Sequence, residues 1–251
     1  MATDRIFFSE FNDAEMLQAF QKAQDTFRYF WRELYWEYRR IVPALDLGFV
    51  KVIFSQEQEG KDHPLVEHMW IKDIRFNGEV IGGVLVNQPN YLTGVKKGDW
   101  VQIPLTRVSD WMFSTRDKIY GAYTIQLLRS RMNADELKAH DEAWGLNFGD
   151  PNDILVVYQQ KEHPENLVEH PMSVNMKEKL EAFVKEYPAE TTNRDEDGNT
   201  LLHKEAIAGN KTIVAVLLSA GAEKGARNNR GKTALDYAIE LGWAHVTSAL
   251  R

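Results

Sequence analysis

The sequence predicts an α+β domain, with a long N-terminal helix packed on a mostly antiparallel sheet, followed by a small all-helical domain. Three patterns predict this order. Apolar residues recur at three- and four-residue steps near the N-terminus, alternate with polar residues in the middle, and repeat every 33 residues near the C-terminus. These patterns are typical of an amphipathic helix, of half-buried strands and of stacked repeats. We expect the α+β domain at 1–160, a linker at 161–174 and the repeats at 175–251.

The first helix has start and stop signals. Asn12, with Glu15 three residues on, has the spacing of a capping box, and Pro43 ends the helix after about Arg40. Its apolar face comprises Leu17, Phe20, Ala23, Phe27, Phe30, Leu34 and Tyr38. We expect the aromatic residues of 27–38 to cover the sheet. The alternative is a ligand platform that includes Tyr29 and Trp36.

Apolar runs and turn residues predict the sheet. We expect strands at 49–55, 67–71, 80–81, 84–86, 100–105, 123–128 and 154–158. Asn77-Gly78 is a hairpin signal, while Gly98-Asp99 and Ser109-Asp110-Trp111 are interpreted as turns between strands. A short helix is expected to begin at Asn133 and to end near Gly145.

The C-terminal third repeats with a period of 33 residues. Gly198, Thr200 and Leu202 recur as Gly231, Thr233 and Leu235. The pattern Asp-x-x-Gly-x-Thr-x-Leu-His, which begins at Asp195, resembles the ankyrin repeat. The resemblance implies a structural role for His203. Two positions depart from it, because Glu205 replaces a small residue and Asp236 takes the place of the second His.

The ankyrin resemblance also implies a protein partner. The candidate contact residues lie at two hairpin tips and on the concave helix face: Asn193, Arg194, Asp195, Glu196, Asp197, Lys204, Asn228, Asn229, Arg230 and Tyr237. Two repeats with a leading half repeat are too few to bury their own apolar faces. We therefore expect one face of the stack to pack on the N-terminal domain.

A second resemblance covers about residues 14–130. Glu67-His68-Met69-Trp70, Gly98-Asp99-Trp100-Val101 and Ser109-Asp110-Trp111-Met112 appear in the order of the YegJ-like bacterial domain of unknown function. That domain is similar to small bacterial domains that act as immunity proteins beside secreted toxins. The resemblance implies that seven residues lie near one rim of the sheet: Glu67, His68, Trp70, Asn87, Asp99, Asp110 and Trp111. They could form a ligand site or a buried polar network, and we favour the network.

The sequence contains no recognisable catalytic motif. The chain has no cysteine, which removes disulfides and thiolate chemistry. His63 and His68, and the pair His163 and His170, lack the spacing of a helical metal site. Asp99 and Asp110, expected at the ends of neighbouring strands, could serve as acid and base or as turn caps. We expect no metal and no cofactor.

Charge and hydropathy argue against two classes of partner, nucleic acids and membranes. The net charge is −7 with scattered Lys and Arg, which argues against nucleic acid as a partner. No signal peptide or long apolar run is present, so no membrane partner and a cytoplasmic location are expected. Together with the ankyrin resemblance, this favours a non-enzymatic protein-binding protein. The YegJ-like resemblance implies a bacterial protein and, in its most specific form, one that binds a toxin effector.

The alternative function is a small-molecule-binding or hydrolytic domain with an ankyrin docking arm. It requires Glu67, His68, Asp99 and Asp110 to converge on an open pocket. A third alternative is self-association through the exposed end of the repeat stack, and the oligomeric state stays open.

Overall fold

The computed structural model describes residues 13–60 and 62–251. Its N-terminal part contains helix α1 (Ala14–Glu37), strands β1 (Leu47–Gln56), β2 (Leu65–Phe76), β3 (Val80–Leu85), β4 (Trp100–Pro104), β5 (Val108–Thr115) and β6 (Lys118–Gly121), and helices α2 (Tyr123–Ser130) and α3 (Ala134–Trp144). Its C-terminal part contains helices α4 (Pro171–Asn175), α5 (Lys177–Glu186), α6 (Leu201–Ile207), α7 (Lys211–Ser219), α8 (Ala234–Glu240) and α9 (Ala244–Leu250). The predicted fold class is confirmed.

Helix α1 covers the sheet with the predicted apolar stripe. The Asp13 carboxylate caps the helix by accepting from the backbone N–H groups of Glu15 and Met16, at 3.0 and 3.3 Å. The predicted first residue, Asn12, lies outside the described residues. The helix ends at Glu37, before the expected Arg40. Phe27 and Phe30 are fully buried and anchor the hydrophobic core beneath the helix.

The sheet has six antiparallel strands in the order β4-β3-β2-β1-β5-β6. The predicted hairpin at Asn77-Gly78 joins β2 to β3. The Asn77 side chain closes this turn by accepting from the backbone N–H groups of Glu79 and Val80. Gly78 has φ 103°, a left-handed conformation that favours glycine.

The run 123–128 forms helix α2, so the predicted strand is wrong. The Asp110 carboxylate accepts from the backbone N–H groups of Tyr123 and Thr124, at 2.9 and 2.8 Å, and supplies the cap that starts a helix. Alternation over six residues does not separate a strand from a short buried helix. Asp110 itself lies inside strand β5, whose residues are all buried, so Ser109-Asp110-Trp111 is not a turn.

Residues 154–158 form a loop, which corrects a second predicted strand. Val156 and Val157 are buried in the core, so the apolar run fills space without pairing along a strand. Isolated hydrogen bonds satisfy the backbone polar groups here. The Leu155 carbonyl accepts from Gly121 N–H, and Val156 N–H donates to the Gln160 side chain.

The segment 161–174 is folded, which contradicts its interpretation as an extended polar connector. It contains a 3-10 turn at Pro164–Leu167 and the start of α4. His170 is only 5% exposed and lies 3.3 Å from the Glu33 carboxylate of α1. The buried Arg32 guanidinium donates to the backbone carbonyls of Asn166 and Val168. These contacts pack the segment 161–174 against helix α1.

The two predicted repeats have the expected caps. His203 lies 2.8 Å from the Thr200 hydroxyl, and its second ring nitrogen donates to the Lys232 carbonyl at 3.0 Å. In the next repeat, the Asp236 carboxylate accepts from the backbone N–H and the hydroxyl of Thr233, at 2.8 Å each. The substitution of His by Asp therefore preserves the cap within its own repeat.

The repeats pack on the N-terminal domain, as the short stack predicts. One hydrophobic cluster runs from the sheet through α1 into the repeats, and it contains both Phe30 and Trp243. The ring of Tyr29 on α1 lies edge-on to Trp243, with 5.5 Å between centroids. Tyr29 and Trp36 thus face the repeats, not the sheet, and Trp36 is only 2% exposed.

Candidate functional site

The turn between β2 and β3 is inserted against the repeat helices. A Cβ atom on Gly78 would lie 2.4 Å from Tyr237 Cε1 and 3.1 Å from Ile207 Cδ1, so a larger residue does not fit. Next to Gly78, the Asn77 amide donates to the Asp197 carboxylate at 3.3 Å. The turn therefore contacts both a repeat helix and a hairpin tip.

Charged residues extend this contact to the second hairpin. Glu79 lies 3.0 Å from Lys232 Nζ and 3.8 Å from Arg230 Nε. Arg230 also pairs with Asp197 at 3.0 Å, so the ion pairs link the two hairpins to the N-terminal domain. The groups are about one-third exposed, so each ion pair is worth at most about 1 kcal/mol, and their main effect is to fix the register of the contact.

A buried carboxylate joins α1 to the inner repeat helix α6. Glu205 is 1% exposed and accepts from the Tyr35 hydroxyl at 2.8 Å, from Arg39 at 2.7 Å and from the Asn210 amide at 2.7 Å. Burial, followed by the negative charge of Glu205, raises the pKa of Tyr35 well above its usual value. Glu205 is one of the two departures from the ankyrin pattern, and this contact explains it.

Helix α1 also contacts the turns between repeat helices. The Trp36 indole N–H donates to the Asn210 side chain at 3.1 Å. The Arg28 guanidinium donates to the carbonyls of Leu241 and Gly242, at 3.0 and 3.1 Å. Together with the Gly78 and Glu205 contacts, these bonds define the intramolecular interface, which covers much of the repeat face that the sequence assigned to a partner.

The predicted partner-binding residues fall into three groups: buried, engaged in intramolecular pairs, and exposed. Tyr237 and Asn228 are buried, so they are not available to a partner, contrary to the sequence prediction. Tyr237 accepts from the Asn228 amide and contacts Gly78. Asp197 and Arg230 belong to the intramolecular interface, and Lys204 pairs with Asp195 at 3.0 Å. The remaining side chains are exposed at the hairpin tips: Asn193, Arg194, Asp195, Glu196 and Asn229.

Three of the seven predicted rim residues stabilise loops. The Glu67 carboxylate accepts from three consecutive backbone N–H groups, those of residues 90–92. Asn87 accepts from the backbone N–H of Trp70 at 3.0 Å, and Asp99 accepts from that of Lys96 at 2.9 Å. These side chains act locally, as turn and loop caps do.

Asp99 and Asp110 are far apart in the sheet, which corrects the expectation of neighbouring strands. Strands β3, β2 and β1 separate β4, which follows Asp99, from β5, which holds Asp110. His68 stacks on Phe20 of α1, with 5.0 Å between ring centroids, while Trp111 is buried and donates to the Ala23 carbonyl at 3.0 Å. The convergence that a hydrolytic site requires is therefore not seen.

The other three predicted residues, His68, Trp70 and Asp110, lie around Lys51. Lys51 Nζ donates to the Thr124 hydroxyl at 3.2 Å and lies 5.4 Å from the Trp70 ring centre. Thr124 in turn donates to Asp110 at 2.5 Å. Lys51 was not among the site residues predicted from the sequence. The sequence feature that could have identified it is the position of a lysine between two apolar residues, Val50 and Val52, which are both buried in the core.

Burial shifts the pKa values of this group of residues. Burial lowers the pKa of Lys51, against the pull of the Asp110 charge, and burial raises the pKa of Asp110, against the pull of Lys51. Burial and then the Lys51 charge lower the pKa of His68 to about 4. The group therefore holds a neutral imidazole beside a half-buried cation, an arrangement that resists protonation of His68 at neutral pH.

Among residues 13–60 and 62–251, no three His, Asp or Glu side chains are grouped closely enough to hold a metal ion. His163 pairs with Glu165, and His170 with Glu33, so the two histidines contact different carboxylates. In the same part of the chain, no helix is long and apolar enough to cross a membrane.

Comparisons with known proteins support both sequence resemblances. Residues 13–148 match a family described as "Uncharacterized protein conserved in bacteria (DUF2314)", and residues 172–250 match a family described as "Ankyrin repeats (3 copies)". An ankyrin repeat protein of Neisseria meningitidis serogroup B is 46% identical over 250 residues, which span all of this chain and 98% of that protein. The uncharacterized protein YegJ of Escherichia coli K12 is 40% identical over 81 residues, 31% of this chain and 53% of that protein. Ankyrin repeats indicate protein partners in general.

Proposed function

Because this chain belongs to the bacterial DUF2314 family and carries ankyrin repeats after that domain, we propose that it is a non-enzymatic protein-binding protein whose two parts work as one unit. Its own α1 and β2–β3 turn occupy much of the concave repeat face. A protein partner then binds the exposed hairpin tips, which the intramolecular interface leaves open.

One observation carries this proposal: the two exposed hairpin tips are tied to each other. Asn229 donates to the Glu196 carbonyl at 3.0 Å, and Arg194 donates to the Arg227 carbonyl at 2.6 Å. Asn193 and Glu196 remain exposed beside these bonds. A surface that is rigid before binding loses little conformational entropy in a complex, which favours specific recognition.

The non-enzymatic part rests on what the candidate acids do in the fold. Glu67 and Asp99 cap loops, and Asp110 caps α2. Glu67 and Asp110 each accept from several backbone N–H groups, so they are held in a structural role and are poorly placed to exchange protons with a substrate.

Site-specific photo-crosslinking in the host tests the proposed surface. A photoreactive residue is placed at Asn193 or Glu196, and the matched control carries it at Lys138 or Glu142 of α3, whose side chains are 76% and 70% exposed. We expect one protein adduct of defined mass from the tip positions and none from α3. If the tips give no adduct, or if both regions give the same adducts, the partner surface is elsewhere.

A narrower form of the proposal takes the partner to be a toxin effector that this chain neutralises in the cytoplasm. Its support is the sequence resemblance to small immunity domains encoded beside toxins. The crosslinked partner is expressed alone and together with the chain. We expect it to arrest growth alone, and we expect the chain to restore growth, but less well with Glu196→Arg. A partner that is harmless when expressed alone would leave general protein binding intact and eliminate the toxin assignment.

A further inference from the structure

A cleft of about 380 Å³ lies between the N-terminal domain and the repeats. Arg75, Trp100 and Gln102 line it from the sheet, and Asp195 and Lys204 line it from the repeats. We propose that this cleft binds a small monocarboxylate that carries a planar apolar group. This goes beyond the protein-binding proposal, because the cleft shares Asp195 alone of the five exposed tip residues and needs no protein partner.

Strand register brings the three sheet residues together. Arg75 pairs with Gly82 across β2 and β3, and Gly82 pairs with Gln102 across β3 and β4. Because Gly82 has no side chain, the Trp100 ring lies over it, so close that a Cβ atom there would be 2.5 Å from Trp100 Cζ2. The register therefore combines a cation, an indole and an amide in one small area.

Of the cations that line the cleft in the described part of the chain, Arg39 and Lys204 have carboxylate partners and Arg75 does not. Lys204 pairs with Asp195 at 3.0 Å, and Asp197, which also lines the cleft, pairs with Arg230 at 3.0 Å. Arg75 has no carboxylate within ion-pair distance among the residues that the structure describes, and its guanidinium lies 5.3 Å from the Tyr38 ring centre. A guanidinium matches one carboxylate in a bidentate geometry. The other two cations of the lining in the described part of the chain, Arg39 and Lys204, are already paired, so a second negative charge on the ligand meets no free cation.

Polar and aromatic groups of the cleft that lack partners in the described part of the chain indicate the chemistry of the ligand beyond its carboxylate. Trp100 is 50% exposed, so one face of its ring is open for stacking by a planar group. In the described part of the chain, the side chains of Gln102 and Trp100 make no hydrogen bond. Trp31 also lines the cleft, and its buried indole N–H lacks an acceptor there.

Isothermal titration of the full chain tests the proposal with two probes, 4-hydroxyphenylacetate and indole-3-acetate. Each is compared with its neutral amide, and phenyl phosphate serves as the dianionic comparison. We expect saturable binding of the carboxylates at millimolar concentration or below. The amides should bind at least roughly tenfold more weakly, because they lack the charge-assisted bond. Phenyl phosphate should bind no more tightly than the carboxylates, because its second charge has no free cation to pair with.

Variants locate the binding site. Arg75→Gln should weaken carboxylate binding roughly tenfold, and Trp100→Ala roughly fivefold. Lys72→Gln is the matched control, an exposed cation on the same strand outside the cleft lining, and should change binding less than twofold. Absence of binding by both carboxylates, equal binding of acid and amide, or unchanged binding in Arg75→Gln would overturn the proposal. If a variant fails to fold, the comparison of acid, amide and phosphate on the native chain still decides the matter.

Discussion

Glu205→Ala tests the contact between α1 and the repeats. The substitution removes a buried carboxylate that accepts from Tyr35, Arg39 and Asn210. Tyr35 and Asn210 lose an acceptor in a buried environment, so each loss costs about 1 kcal/mol. The side chain of Arg39 is 36% exposed and can be hydrated again, so its lost ion pair costs about 1 kcal/mol after screening by solvent.

The three losses together predict that Glu205→Ala lowers the free energy of unfolding by about 3 kcal/mol. With a urea dependence of about 3 kcal/mol per molar for a chain of this size, the unfolding midpoint should fall by about 1 M. Glu178→Ala is the matched control, an exposed glutamate on α5, and should change the free energy by less than about 0.5 kcal/mol.

Urea unfolding followed by tryptophan fluorescence and by circular dichroism measures both variants. A double-mutant cycle with Arg39→Ala should give a coupling energy of about 1 kcal/mol between Arg39 and Glu205. If Glu205→Ala behaves like Glu178→Ala and the coupling is zero, α1 does not contact α6 in solution, and the reasoning about the interface is refuted.

Two further predictions use single positions with matched controls. Gly78→Ala should destabilise the chain by at least about 2 kcal/mol more than Gly60→Ala. Both glycines have positive φ, but only at Gly78 does a Cβ atom meet Tyr237, so equal effects in urea unfolding would contradict the insertion of the turn. An NMR titration of His68 should give a pKa of about 4, and Lys51→Gln should raise it, because burial remains but the nearby cation is removed. The folded-state pKa lies below the unfolded value of about 6.5. The contribution of neutral His68 to the free energy of unfolding should therefore be fully present above pH 6.5 and should decrease as the pH falls towards 4. A stability that is flat between those pH values, or a His68 pKa unaffected by Lys51→Gln, would rule out this electrostatic account.

Elements with strong local signals could be predicted from the sequence. The apolar stripe of α1, the Asn77-Gly78 hairpin and the 33-residue repeat each depend on neighbouring residues, and the structure contains all three. Helix α2 could not be predicted in this way. Its cap is Asp110, 13 residues before Tyr123 and on a different element, so only the tertiary structure brings the cap and the helix together.

The intramolecular interface left two signals in the sequence. Helix α1 carries aromatic residues on more than one face, and such a helix is buried on both sides, here by the sheet and by the repeats. Glu205 departs from the small residue that the ankyrin pattern has at that position, and its partners come from α1. The location of these partners could not be derived, because it depends on how the two parts dock.

Crosslinking of an engineered cysteine pair most directly tests the central claim that the N-terminal domain occupies the repeat face of its own chain. The chain has no cysteine, so Asn77→Cys with Asp197→Cys introduces the only two thiols. A short bismaleimide should join them rapidly within one chain, because the native side chains lie 3.3 Å apart. The control pair, Glu59→Cys with Asp197→Cys, should not crosslink, since Glu59 precedes β2 and the 12 residues of that strand span roughly 36 Å. Equal crosslinking of both pairs, or none in the first, would contradict the account.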